Sequence, residues 1–288
     1  MKKLIEIIVC AVWVLVIAQT SFAQKVYTLG VSCPKGTAAI KREWQPTVKY
    51  LSHHTENTFR LIPLRFKSVE PAVKSGKMDF LLCNPSLFSQ MMEQYGIRPL
   101  ASLVETSQGK PLRGLGTVIF TAADSNIHTL SDVKGTKVAA ALRNSLAGYQ
   151  LPIYVLKKKG LAPGKDFELM FTGKLQLIVK AVKSGTADVG FARTGFLEWF
   201  ERQGECKVSD FKVIEPELDE YPYQHNGPIF PSLVFGAAKE TDAALARDVA
   251  SALKAMSDGS SAAKTANIYG WEDPADLALV REIIKIVQ

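Results

Sequence analysis

The string Ala-Val-Lys-Ser-Gly occurs twice, at residues 72–76 and 181–185, and the likeness of its two settings restricts this chain to a fold of two similarly connected units. Downstream of each copy come an aspartate (Asp79, Asp188), a short apolar run (80–83, 189–192) and a polar break (Asn84-Pro85, Arg193-Thr194). An amphipathic stretch closed by glycine follows in both (Gly96, Gly204). Upstream of each copy lies another apolar stretch, residues 59–64 and 167–171. Further back, both begin with an apolar segment and a turn: 27–31 before Lys35-Gly36-Thr37, and 137–142 before Asn144-Ser145.

Strands and helices alternating at these lengths imply an α/β fold of two lobes, each a mainly parallel sheet flanked by helices and wound with right-handed crossovers. Between the copies, residues 114–120 form a glycine-flanked strand, and the chain returns through 233–237, which makes two hinge crossings. The expected first lobe is residues 24–116 plus 236–288, and the expected second lobe is 117–235. Two helices are expected near the end, over 242–256 and 274–287. Leu245, Val249 and Leu253 share one face, and Leu277, Val280, Ile283, Ile284 and Val287 another, and both helices are expected to pack back on the first lobe.

The first 23 residues stand apart. Lys2 and Lys3 precede an uninterrupted apolar run over 7–18, and Ser21-Phe22-Ala23 fits the small-x-small rule of a signal-peptidase site. That run is too short to span a bilayer as a mature helix. Cleavage near Ala23 releases a chain bearing 33 Lys+Arg against 27 Asp+Glu, lowering the formal charge of +7 to +6 and placing the protein outside the cytoplasm. A positive excess of this size favours an anionic partner.

Ligands of open parallel sheets bind beyond the carboxyl ends of the strands. In a two-lobed chain that rule nominates Cys33, Lys35, Arg65 and Asn84 from the first lobe, with Arg143, Asn144, Ser145, Lys174, Arg193 and Thr194 from the second. These include five cations and not one carboxylate, the composition of a site for a small anion. Asn144-Ser145 followed by Leu146-Ala147-Gly148 opens a helix whose free N–H groups and positive dipole end face the cleft. Arg193 carries the planar fork suited to bidentate oxyanion binding.

From about Lys25 onward the chain resembles the periplasmic phosphonate/phosphite-type substrate-binding proteins of ABC transporters, and still more the binding-protein-like sensor domains of tetrathionate-sensing histidine kinases. The resemblance rests on Asp79-Phe80-Leu81-Leu82-Cys83-Asn84-Pro85, Asn144-Ser145-Leu146-Ala147-Gly148-Tyr149 with Pro152, and Phe171-Thr172-Gly173. It rests also on residues 187–194 with Leu197-Glu198, and on Gly270-Trp271-Glu272-Asp273-Pro274. It implies a two-lobed periplasmic binding protein of type II that closes on a small oxyanion like a venus flytrap. The implied ligand-contacting set is Cys33, Lys35, Asn84, Asn144, Ser145, Ala147, Gly148, Tyr149, Lys174, Arg193 and Thr194. Phosphonate binders of the family usually carry a Ser-Thr-Ser-Gly turn where Ser145-Leu146-Ala147-Gly148 stands, and a histidine where Leu175 stands. Both departures weaken a phosphonate or phosphate ligand, and Arg193-Thr194 is the sensor-type version of its motif. The implied setting is periplasmic, with an ABC-transporter permease as partner, or alternatively a separate sensor histidine kinase. No cofactor, metal or nucleic acid is expected, and the protein is expected to be a monomer.

Of the three cysteines beyond the leader, Cys33 and Cys83 end strands that such lobes place side by side. A disulfide, a redox-sensitive pair, thiol contact with ligand and simple space filling are all open to them. Cys206 lies in a polar loop as a bystander, and His225 lies in a loop before the return crossing, within reach of the cleft. The rival reading, an enzyme with Cys33 or Cys83 as nucleophile, finds no histidine placed beside either thiol. Lys157-Lys158-Lys159 reads as a solvated helix end.

Overall fold

The computed structural model describes residues 25–32 and 36–287, so the expected leader (1–23) and the expected contacts Cys33 and Lys35 lie outside the described residues. The first unit starts with β1 (Val26–Val31), α1 (Thr37–His54), β2 (Thr58–Pro63), α2 (Phe66–Lys74), β3 (Phe80–Cys83) and α3 (Pro85–Tyr95). Then come β4 (Arg98–Ser107), β5 (Lys110–Leu112) and β6 (Leu115–Ala122). The second copy continues with β7 (Lys137–Ala140), a π-helical turn (Leu146–Gln150) running into α4 (Leu151–Lys158), β8 (Glu168–Phe171), α5 (Leu175–Lys183), β9 (Val189–Arg193) and α6 (Phe196–Arg202). The chain closes with β10 (Phe211–Val213), β11 (Asn226–Phe230), β12 (Val234–Ala237), α7 (Ala243–Lys254), α8 (Ser261–Ala266), β13 (Ile268–Glu272) and α9 (Ala278–Val287).

The repeated string is a helix ending. In both copies the lysine is the last helical residue, and the glycine adopts a left-handed conformation, φ 66° at Gly76 and 70° at Gly185. Only glycine takes that conformation without a Cβ penalty, which is why it closes so many helices. The serine hydroxyl donates back to the alanine carbonyl, at 2.8 Å from Ser75 to Ala72 and 3.2 Å from Ser184 to Ala181. The aspartate that follows does the same in both copies: it accepts a backbone N–H from the first half of the neighbouring parallel strand. Asp79 Oδ2 accepts from Thr28 N–H at 2.8 Å, and Asp188 Oδ2 accepts from Lys137 N–H at 2.8 Å. A five-residue string plus an aspartate thus stops a helix, turns the chain and sets the register of the next strand pair.

Two sheets result. The seven-stranded first sheet has the order β13-β4-β12-β3-β1-β2, with β5 beside β4. The six-stranded second has the order β10-β6-β9-β7-β8, with β11 beside β6. In each, the three strands from the repeat run parallel (β3-β1-β2 and β9-β7-β8), with the third strand of the copy beside the first as expected for residues 83 and 33. The remaining strands run antiparallel, so both sheets are mixed. The chain leaves the first sheet between Leu112 and Leu115 and returns between Phe230 and Val234.

Helices cover both faces of each sheet. In the first, Ile40, Trp44 and Val48 of α1 pack with Leu245, Val249 and Leu253 of α7 over Leu29, Phe80 and Phe235. On the opposite face, Val69, Phe88 and Met91 pack on Leu81, Cys83 and Val234. The expected docking of both late helices on the first unit needs correction for α9. Its Val280, Ile283 and Ile284 share a buried cluster with Leu87 of α3 and with Leu151 of α4, and Lys157 donates to the Ile286 carbonyl at 2.5 Å. A helix whose apolar stripe is this wide finds too little surface on α3 alone and bridges to the second unit.

Asp79 also lies 2.9 Å from the Thr28 hydroxyl, and its own N–H donates to that oxygen at 3.0 Å. Losing the charged acceptor of the Thr28 N–H costs about 2 kcal/mol. Asp79→Ala is therefore expected to lower the unfolding free energy by about that amount in urea titrations, with the slope unchanged; an unaltered midpoint would contradict the role.

Candidate functional site

The site is built where strands end and helices begin. After β7 the backbone makes a tight turn, and Ser145 caps the π-helical turn by accepting the Gly148 N–H at 3.1 Å. Gly148 has no room for a side chain, since a Cβ there would lie 2.8 Å from both the Ala141 Cβ and the Ser145 Oγ. Helix geometry leaves the N–H groups of Leu146 and Ala147 without partners inside the turn, at its positive end. The buried Thr117 hydroxyl on β6 lies 2.7 Å from the Ala147 carbonyl and 3.1 Å from the Ala192 carbonyl, which pins this turn to β9. Thr117 is also the register partner of Arg193, the last residue of β9.

The first unit repeats the pattern. Asn84 follows β3 and caps α3, its Oδ1 accepting the Leu87 N–H at 3.0 Å. Leu87 and Phe88 of α3 belong to the same buried cluster as Leu146 and Leu151, a cluster that α9 also lines. Arg193 meets the first sheet directly: its Nη1 lies 3.8 Å from Oε2 of Glu105 on β4.

That contact corrects the expectation of a cleft without carboxylates. Glu105 lies beyond Gly96, the glycine that closes the first copy, so an inventory drawn from the duplication did not include it. The other expected cations among the described residues, Arg65, Arg143 and Lys174, are dispersed. Lys174, before α5, and Arg65, before α2, are exposed. Arg143 donates to the Tyr149 hydroxyl at 3.0 Å and lies 4.8 Å from the Phe171 ring centre. The hydroxyl of buried Tyr149 is thereby engaged. Asn144 is half-buried in the turn before Ser145.

Thr194 is fully buried and belongs to the crossing. Its Oγ1 accepts the Gly116 N–H at 3.1 Å and lies 3.4 Å from the Tyr221 hydroxyl, which donates to the Gly114 carbonyl at 2.8 Å. Burial pushes the Tyr221 hydroxyl above its ordinary value, so it stays a donor. Tyr223 reaches Ser107 at the end of β4, with 2.5 Å between hydroxyl oxygens. His225, expected within reach of the cleft, is instead buried beneath this strap, 3.0 Å from Asp219 and 2.8 Å from the Gly227 carbonyl. The strap's tyrosines lie in a loop where no periodicity marks them. Gly114, at φ 95°, passes so close to Phe230 that a Cβ would sit 2.7 Å from its carbonyl oxygen.

Cys83 and Cys206 are free thiols. Cys83 is fully buried, and burial pushes its thiol far above the ordinary value, opposite to what a nucleophile needs. Cys206, expected in a polar loop, is buried among Phe196, Leu197 and Phe211.

Two mixed α/β sheets joined by two crossings define a periplasmic-binding-protein fold. The profile of the family described as "ABC transporter, phosphonate, periplasmic substrate-binding protein" matches residues 30–278, and the chain belongs to that family. Among curated proteins it is 29% identical over 265 residues to the tetrathionate sensor histidine kinase TtrS of Salmonella typhimurium, which covers 91% of this chain and 44% of that one. The chain thus spans less than half the length of that relative. Among solved structures it is similar to PhnD1 from Prochlorococcus marinus in complex with methylphosphonate: TM-score 0.69, 14% identity, 92% of this chain and 98% of that one. It is also similar to a binding protein component of an ABC phosphonate transporter from Pseudomonas aeruginosa: TM-score 0.67, 17% identity, 92% and 87% covered.

Asp219 anchors the strap by accepting the Tyr221 N–H at 2.9 Å, and this bond, with His225, holds its carboxyl below its ordinary value. A depressed folded value stabilises above the unfolded one, and the gain disappears as pH falls through the folded value. Asp219→Asn is expected to be less stable than wild type at neutral pH and to converge with it below the ordinary value of 3.8. Urea midpoints against pH test this, and parallel curves would contradict it.

Proposed function

We propose that this protein captures a small oxyanion in the cleft between its two sheets and delivers it to the membrane permease of an ABC transporter. In this reading residues 1–23 are removed near Ala23 and the mature chain works in the periplasm. The lobes, residues 24–116 with 236–288 and residues 117–235, close over the ligand about the two crossings. The observation that carries the reading is Arg193, which ends β9 beside the Ser145-capped turn and faces the first sheet. A guanidinium fork next to free helix N–H groups suits tetrahedral and planar oxyanions alike. Asn84, Asn144 and the Ala147 backbone N–H would complete the oxyanion's hydrogen bonds, with Gly148 keeping the turn open and Lys35, Lys174 and Thr194 at the margins.

Sensing is the second reading, and the similarity to a tetrathionate sensor kinase favours it. A ligand-loaded form of this domain would then engage a histidine kinase, and the oxyanion would be one of sulfur. The same cleft serves either output.

Thermal denaturation of the mature protein against sulfate, thiosulfate, tetrathionate, phosphate and methylphosphonate tests the site. A ligand at a hundredfold excess over its Kd adds about 2.7 kcal/mol of stability. Arg193→Ala is expected to weaken that ligand about 10- to 150-fold, the range for a hydrogen-bonded charge, while the ligand-free protein unfolds as wild type does. Unchanged affinity in the variant would remove Arg193 from the site.

A further inference from the structure

We infer that Glu105 is a built-in counter-ion of the Arg193 subsite: it holds the guanidinium while the site is empty, yields it to an incoming anion, and biases the site toward ligands of low negative charge. The inference rests on Arg193 being the anion subsite and adds what that subsite selects.

Three observations carry it. The first is where the two residues come from. Glu105 belongs to β4 of the first sheet and Arg193 to β9 of the second, so their charges meet between the sheets, where the ligand would sit. The second is how loose the pair is. At 3.8 Å it lies well beyond the roughly 2.7–2.9 Å of a direct charge-assisted hydrogen bond. The other contact of the guanidinium, to the Thr194 carbonyl, is 3.5 Å long. An arginine meant to lock two sheets together would engage its fork bidentately; this one keeps its donors available. The third is what Glu105 lacks. Its side chain is only 27% exposed, yet Arg193 is its one polar partner among the described residues. A carboxylate packed at this depth without hydrogen bonds acts through its charge, on Arg193 and on the nearby Tyr221 hydroxyl.

A partly exposed pair of this kind is worth little and is displaced at little cost. The larger effect falls on the bound anion, because the carboxylate stays nearby after Arg193 turns to the ligand. Repulsion across several ångströms in a half-solvated cleft weakens binding by about three- to tenfold per unit of ligand charge. A dianion suffers this twice.

Sulfate and methanesulfonate are close in shape and differ by one charge, so calorimetric titration of both into wild type, Glu105→Gln and Glu105→Asp at fixed ionic strength tests the inference. Glu105→Gln is expected to bind methanesulfonate about three- to tenfold more tightly and sulfate more tightly still, shifting the sulfate-to-methanesulfonate ratio at least threefold. Glu105→Asp is expected to keep the wild-type ratio. Equal tightening of both anions, which a merely structural effect would give, overturns the counter-ion role. So does unchanged affinity in Glu105→Gln, and both results leave Arg193 as the subsite. Absence of binding in all three proteins overturns the subsite and the counter-ion together.

Discussion

The arrangement of the cleft depends on one buried hydroxyl. Thr117 on β6 lies within hydrogen-bonding distance of the Ala147 carbonyl in the π-helical turn and the Ala192 carbonyl in β9. The turn's positive end and Arg193 therefore occupy fixed places relative to each other, and the serine cap at Ser145 would be an isolated local feature without that tie. A preorganised oxyanion site needs such support, because donors that must move to meet a charge lose much of their value in doing so.

The two sheets are coupled in three physically different ways. Apolar packing joins Leu146 and Leu151 to Leu87 and to the stripe on α9. Neutral hydrogen bonds join the tyrosine strap to Ser107 and to the Gly114 carbonyl. A loose ion pair joins Glu105 to Arg193. Only the last involves a residue whose chemistry suits a ligand, and it is the weakest of the three. The apolar contacts run along α9, while the contact that a ligand would exchange lies at the strand ends.

The duplication made much of this readable. A helix stop, a turn and a register-setting aspartate are local devices, and identical residues perform them in both copies, so strand order around β1, β3, β7 and β9 followed from sequence alone. Ser145 and Asn84 were legible for the same reason, since caps announce themselves by residue type and position. Glu105, Thr117 and the tyrosine strap were not. They lie outside the stretches whose residues the two copies share, and their roles come from contacts between residues far apart in the chain: Glu105 with Arg193, and Tyr223 with Ser107. The position of α9 was hidden for a related reason. A wide apolar stripe declares that a helix is buried, but not that its cover is shared between two units. Strand-end position alone does not say what a side chain touches: Lys174 is exposed, and Arg143 stacks on Phe171 and Tyr149.

The central claim is spatial: an oxyanion sits between Arg193 and the Ser145-capped turn. A crystal of the mature protein grown in selenate, with data collected at the selenium edge, locates the anion by its anomalous signal without reference to any affinity. The account predicts one dominant selenium peak within hydrogen-bonding distance of the Arg193 guanidinium and the Ala147 N–H, with Glu105 turned away. A dominant peak elsewhere, with Arg193 still against Glu105, would contradict it.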